Sequence, residues 1–86
     1  MLRVTVRKID DVAELKVEGC IVGEAAVELW AECQRQKRAG RRIRLDLDGV
    51  RLIDPAGVVK LRRLMRQRVE VVNASLLVSA LLTDDK

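Results

Sequence analysis

A strand-like stretch runs directly into a helix-like stretch between Ile43 and Gln67, and this junction limits the possible folds more than any other part of the chain. The first half alternates apolar and charged residues, which predicts a half-buried strand, and the second half repeats apolar residues at helical spacing. Between them, Asp54 is a favoured N-cap residue and Pro55 falls at the first helical position, where a missing N–H is tolerated. The sequence therefore predicts a strand, a capped helix start and a helix in succession.

The first half of the chain predicts an edge hairpin followed by a helix. Apolar and charged residues alternate over residues 2–7 and 13–18, on either side of Asp10 and Asp11. A helical pattern then runs from about Gly23 to Ala39, and Gly40 is placed to adopt the left-handed conformation that ends a helix. We expect the hairpin to keep one face in water.

The second half predicts a right-handed parallel crossover. A strand over Arg41–Leu47, a helix over Pro55–Gln67 and a strand over Val69–Val72 follow one another within about thirty residues. Of the helix between these strands, we expect four side chains to be buried: Val58, Leu61, Leu64 and Met65. Asn73 or Ser75 then caps a short helix through Leu76, Leu77, Ala80 and Leu81, and Thr83 to Lys86 fray. We expect one α/β domain over residues 1–86, with a mixed sheet of about four strands and helices mainly on one face.

The run from Leu45 to Val58, LDLDGVRLIDPAGV, resembles the signature of the STAS domain, which occurs in anti-sigma factor antagonists and sulfate transporters. In that family a strand and a short turn lead into Asp-Ser-Ser-Gly-Leu. The order of the other elements agrees with the family from about Leu2 to Leu82. The resemblance implies a STAS-type fold and a bacterial regulatory domain that binds another protein, as an anti-sigma factor antagonist does.

Two departures from the family pattern affect its phosphorylation switch. In anti-sigma factor antagonists a partner kinase phosphorylates the second serine of the motif, and phosphorylation releases the partner. Here Ala56 occupies that position and Pro55 occupies that of the first serine, so the phosphosite equivalent carries no hydroxyl. In the loop from Glu18 to Glu24, Val22 stands where relatives often have a polar residue. Together the two changes predict a domain that keeps the STAS fold but lacks the phosphorylation switch.

The resemblance also implies a partner-binding surface at this helix start and along the basic side of the helix that follows. Its residues are Val22, Gly23, Asp54, Pro55, Ala56, Gly57, Lys60, Arg62 and Arg63. A structural interpretation explains the same residues as a helix cap, a close backbone approach and a solvated helix exterior, and the two interpretations are compatible. An alternative function within the family is an accessory domain or subunit of a transport assembly, either an ABC transporter or an anion transporter.

Composition limits the chemistry that this chain can perform. It has no histidine, which excludes imidazole acid–base catalysis and histidine metal ligation. Cys20 and Cys33 are isolated thiols that suit packing in a reduced protein. Asp46, Asp48 and Asp54 are the only close carboxylates that could suggest metal binding or acid–base chemistry, and each has an ordinary role on a sheet face, before a turn glycine or at a helix cap. We expect no enzyme activity, no cofactor and no metal site.

Charge and hydropathy narrow the choice of partner. The net charge is +4, but Trp30 is the only aromatic residue, which argues against binding of nucleic acid. No apolar run approaches the ~20 residues that span a bilayer, so we expect a cytoplasmic protein without a membrane span. Many STAS relatives continue with another strand and a longer helix. Without these elements a sheet edge stays uncovered, and a homodimer that covers it is one of the expected partners.

Overall fold

The computed structural model describes residues 2–83, which form four strands and three helices. In chain order they are β1 (Leu2–Ile9), β2 (Val12–Ile21), α1 (Glu24–Arg38), β3 (Arg42–Ile53), α2 (Pro55–Arg66), β4 (Glu70–Val72) and α3 (Leu76–Leu82). The predicted α/β class and the predicted order of elements are confirmed.

The sheet is mixed and has the strand order β1-β2-β3-β4. β1 and β2 form an antiparallel hairpin, with Ile9 opposite Val12 across the two-residue loop. β2 pairs with β3, and β3 with β4, in parallel. Because the carboxyl ends of β2 and β3 lie at the same edge of the sheet, α1 and α2 both begin there.

The core lies between the sheet and the helices and is built from aliphatic side chains. The buried residues of the two central strands and of α1 and α2 belong to one cluster, which includes Ala13, Leu15, Val17, Ile43, Leu45, Leu47, Ala26, Leu29, Cys33, Leu61 and Leu64. The opposite face of the sheet is charged, and Arg44 Nε donates to Glu70 Oε1 across neighbouring strands at 3.1 Å. The helices therefore cover one face of the sheet, as predicted.

The helix ends follow the capping signals of the sequence. Gly40 has a φ of 82°, and its N–H donates to the carbonyl of Lys37 at 2.9 Å. The N–H of Arg41 donates to the carbonyl of Gln36 at 3.2 Å, which completes a Schellman motif at the end of α1. At the start of α3, Ser75 rather than Asn73 is the cap, because its Oγ accepts from the N–H of Val78 at 3.1 Å.

Two strands extend further than the sequence pattern predicted. β3 continues to Ile53 instead of ending near Leu47, and β2 continues to Ile21, which leaves only Val22 and Gly23 as the loop. The predicted turn at Gly49 is wrong: the chain stays in the sheet through two register shifts between β2 and β3. A Cβ on Gly49 would lie 2.7 Å from Glu18 Cγ, so glycine is what allows the strands to remain paired there.

The apolar pattern also mispredicted burial at the ends of two helices. Met65 is 41% exposed, because it lies on the flank of α2 and not on its buried stripe. In α3 the buried residues are Val78 and Leu82, one helical turn apart, whereas Leu76 is 93% exposed. At the predicted frayed end, Thr83 donates from its N–H to the carbonyl of Ser79 at 3.1 Å, and residues 84–86 lie outside the described part of the chain.

Both cysteines are free thiols, as their spacing suggested. Cys33 is fully buried, and this burial raises the pKa of its thiol to about 12. The thiol therefore stays protonated and acts as a packing group. Between residues 2 and 83, no helix has the length and apolar character needed to cross a membrane.

Two isoleucines offer a matched test of where the core lies. Ile43 is 4% exposed and Ile9 is 45% exposed. We expect Ile43→Val to lower the free energy of unfolding by about 0.5–1.5 kcal/mol, because it removes a buried methylene and leaves a cavity. Ile9→Val should change it by less than about 0.5 kcal/mol. Urea unfolding of both variants measures the difference, and equal effects would contradict this assignment of the core.

Candidate functional site

The starts of α1 and α2 meet at one edge of the sheet and are joined by the side chain of Asp54. Its Oδ2 accepts from the N–H of Gly23 at 2.9 Å, and its Oδ1 accepts from the N–H of Gly57 at 2.7 Å. The N–H of Asp54 donates to the carbonyl of Ile21 at 3.1 Å. One carboxylate therefore caps α2 and also holds the residue that precedes α1. We call this region the helix-start surface, which comprises Val22, Gly23, Asp54, Pro55, Ala56 and Gly57.

The electrostatics of the helix-start surface favour an ionised Asp54. The backbone N–H groups of Gly23 and Gly57 hold the pKa of its carboxyl below the ordinary value. The positive ends of the helix dipoles act in the same direction. Asp54 is thus a carboxylate at neutral pH, and both of its oxygens have structural partners.

Two glycines allow the helices to start so close together. Gly57 is buried, and a Cβ there would lie 2.9 Å from the carbonyl oxygen of Ile21 and 2.9 Å from Ile53 Cγ1. Gly23 adopts a φ of 60° and a ψ of −128°, a conformation that residues with a Cβ rarely adopt. The close backbone approach expected from the sequence is therefore present.

The outer part of the helix-start surface is small and apolar. Pro55 and Ala56 are exposed at the start of α2. Val22, in the loop before α1, is 42% exposed. Three further apolar side chains are exposed within the first turns of the helices or at the end of β3: Leu52, Val27 and Val59. The sequence pattern did not predict these three as part of the surface, although two of them are valines that interrupt the polar side of an amphipathic helix.

The structure divides the predicted basic side into residues with different surroundings. Lys60 Nζ lies 5.3 Å from the centre of the Trp30 ring, which is a cation–π contact. Arg62 Nη2 donates to the carbonyl of Leu81 at 2.8 Å and to that of Thr83 at 3.2 Å. Both residues are half-buried rather than solvated, and only Arg63 of the three is exposed. Their part in partner binding stays a prediction.

The neighbouring carboxylate of Asp46 has a structural role in the sheet. Asp46 Oδ1 accepts from the N–H of Asp48 at 3.0 Å and from Asn73 Nδ2 at 3.2 Å. The described residues contain no group of three cysteine, aspartate or glutamate side chains arranged to hold a metal ion. The helix-start surface offers backbone geometry and small side chains, which suit contact with another surface.

Comparison with known proteins identifies the fold. No protein-family model and no curated protein sequence matches the chain. Among solved structures, the anti-sigma factor antagonist SpoIIAA in its unphosphorylated form matches with a TM-score of 0.76 and 14% identity, over 98% of this chain and 90% of that chain. The crystal structure of Mglu matches 78% of this chain with a TM-score of 0.63 and 25% identity, over 18% of that longer chain. The chain therefore has the STAS fold of SpoIIAA, as its resemblance to the signature implied.

Asp54→Asn tests whether one carboxylate holds the two helix starts. We expect a lower melting temperature at neutral pH, because the amide keeps one acceptor oxygen but replaces the other with a donor. Folding lowers the pKa of Asp54, so its contribution is present above the unfolded value of about 4 and is lost as the pH falls through the folded value. The gap in melting temperature between wild type and variant should therefore narrow in acid.

Asp48→Asn provides the matched control for this experiment. Asp48 is exposed on β3, and its N–H donates to Asp46 Oδ1. Its carboxylate makes no hydrogen bond or ion pair within residues 2–83. We expect the control to melt close to the wild type at neutral pH. A gap for Asp54→Asn that is no larger than that of the control, or that widens in acid, would contradict the bridging role.

Proposed function

We propose that this chain is a non-enzymatic regulatory domain that binds a protein partner in the manner of an anti-sigma factor antagonist, and that phosphorylation does not switch it. The observation that carries the proposal is the exposure of Ala56 in the first turn of a helix whose start is fixed on both sides by Asp54. The STAS fold shared with SpoIIAA supports the same role.

A fixed helix start favours partner binding because little conformational freedom is lost when the complex forms. Gly57 anchors α2 against the sheet, and Asp54 ties Gly23 to it, so the exposed residues are held on rigid supports. Small and apolar groups such as Ala56 and Val22 can approach another surface closely and release water from it. This surface would form the centre of the contact.

Charge around that centre supports an acidic partner. Arg63 is exposed on α2 two turns after the helix start, and the whole chain carries a net charge of +4. Charges at the rim of an interface increase the association rate more than the affinity. Lys60 and Arg62 are half-buried, and their contacts with the Trp30 ring and the Leu81 carbonyl leave them less free to reach a partner.

The loss of the hydroxyl would fix the surface in one state. A phosphate group adds a charge of about −1.5 to −2 at neutral pH, enough to disrupt an apolar contact or an acidic partner surface. The methyl group of Ala56 cannot accept a phosphoryl group. This chain would therefore stay in a state like that of the comparison structure, which is an unphosphorylated form. Partner binding would therefore be constitutive.

A second candidate function is an accessory domain or subunit of a transport assembly, in which the helix start is a permanent dock. The likeness to a segment covering 18% of Mglu is compatible with an accessory domain, because it shows the same fold as one part of a longer chain. Affinity purification from native cells separates the two candidates. A membrane ATPase that copurifies supports the transport role, and a soluble sigma regulator supports the antagonist role.

Ala56→Arg tests the contact surface directly. We expect at least about a tenfold loss of partner affinity, because a long charged side chain would stand in the middle of the contact. Ala31→Arg is the matched control, since Ala31 is also an exposed helical alanine but lies near the middle of α1. Titration calorimetry with the purified partner measures both. Equal affinities for the two variants would place the contact elsewhere.

Ala56→Ser tests whether the switch is absent for want of a hydroxyl. Incubated with an anti-sigma factor kinase and ATP, the wild-type chain should gain no mass at Ala56 and should remain bound. Ala56→Ser should gain one phosphate at that residue and release the kinase, because the exposed helix start presents the new hydroxyl. Intact-mass spectrometry and size-exclusion chromatography give the two readouts. Release of the wild type by phosphorylation of this loop would contradict the proposal.

A further inference from the structure

The outer edge of β1 is a second surface that nothing within residues 2–83 covers. β1 is the terminal strand of the sheet and is paired only with β2. It is eight residues long, has no proline and keeps a continuous register with β2. In such a strand, alternate residues direct their N–H and C=O groups away from the neighbour, so an unpaired row of donors and acceptors faces outward.

A groove with an aliphatic floor and charged walls runs beside this edge, between β1 and α1. Leu2, Val4 and Val6 line it from the strand, and Val6 is 36% exposed. From α1 the groove is lined by Glu28, Glu32 and Arg35, and its volume is about 270 Å³. Glu32 already accepts from Arg35 and Gln36, which hold its pKa below the ordinary value. Aliphatic side chains suit the floor of this groove.

The other face of β1 carries positive charge. Arg3 and Arg7 project there, and β1 contains no acidic residue. Lys8 alternates to the face of Val4 and Val6, where its charge helps to lower the pKa of Glu32. Arg7 Nη2 donates to Glu14 Oε1 on β2 at 3.1 Å, yet its side chain remains 70% exposed. A neighbouring strand with carboxylates opposite these arginines would gain favourable cross-strand pairs.

We propose that the open edge of β1 binds an extended segment of another protein as a fifth strand of the sheet. The segment would alternate acidic side chains, facing Arg3 and Arg7, with aliphatic side chains that enter the groove beside Val4 and Val6. Main-chain hydrogen bonds supply affinity in this mode of recognition, and the alternate side chains supply specificity. The surface is separate from the helix-start surface, which lies at the ends of β2 and β3.

A second copy of this chain fits the edge less well than an acidic segment. Antiparallel pairing centred on Thr5 would place Arg3 of one copy opposite Arg7 of the other, and would do so twice. Like charges directly opposite each other destabilise a strand pair. Any register would also add the three cations of the second β1 to an edge that already has three.

Capped peptides as long as β1 test this proposal with the intact chain. One peptide alternates valine with glutamate and the other alternates valine with lysine. We expect the glutamate peptide to shift the amide resonances of β1 and to slow hydrogen exchange at alternate β1 residues. The lysine peptide should bind roughly fivefold or more weakly, because it places cations opposite Arg3 and Arg7.

A double variant with a matched control isolates the charge contribution. Arg3→Gln with Arg7→Gln should remove the preference for the glutamate peptide. Arg51→Gln with Arg68→Gln removes the same charge from exposed positions on β3 and after α2, which do not pair with β1, and should keep the preference. Ala56→Arg should bind the glutamate peptide as the wild type does, so failure of the helix-start proposal can be told apart from failure of this one.

Four results would overturn the proposal. If neither peptide protects β1 from hydrogen exchange, Arg3 and Arg7 serve only to prevent other strands from pairing with the edge. Equal binding of both peptides would remove the charge argument. Shifts confined to the helix-start surface would assign the peptide to that site. Protection of β1 that appears with dimerisation at high protein concentration, measured by analytical ultracentrifugation, would identify a second copy as the occupant.

Discussion

The carboxylate of Asp54 is the interaction on which the arrangement of the helices depends. A helix start leaves several N–H groups without partners, and here two such starts lie side by side. Asp54 satisfies one N–H from each side, at Gly23 and at Gly57, with separate oxygens. Because β2 and β3 are parallel and adjacent, the chain has to begin both helices at the same edge, and a single acceptor between them makes that possible.

Three glycines set the distances around this carboxylate. Gly57 permits contact with the end of β2, Gly23 provides the turn into α1, and Gly49 lets β3 stay paired with β2 where the register shifts. The physical reason differs at each position. Gly57 avoids a clash with Ile21, Gly49 avoids a clash with Glu18, and Gly23 adopts a backbone conformation that other residues rarely adopt. The result is a start of α2 that lies close against the ends of β2 and β3.

Local signals in the sequence predicted the elements and the helix cap at Asp54, but not the course of the strands or the burial of the last helix. The caps at Asp54 and Gly40 depend on neighbouring residues and were readable. The extension of β3 depends on its partner, because only the pairing with β2 shows that Gly49 lies in a bulge and not in a turn. The exposure of Leu76 likewise depends on which elements pack near α3, and a leucine-rich pattern carries no such information.

Arg62 shows why charge patterning alone overstates a basic binding face. On the helix pattern it belongs with Lys60 and Arg63, yet its guanidinium holds the carbonyls at the end of α3. A buried or half-buried arginine that pairs within the domain stabilises the domain and is less available to a partner. Arg3 and Arg7 on β1 differ, because both stay exposed beside the strand edge, although Arg7 also pairs with Glu14. For this chain, the cations best placed to meet another protein are therefore Arg3 and Arg7. They lie beside the edge of β1, where backbone groups have no partners within residues 2–83.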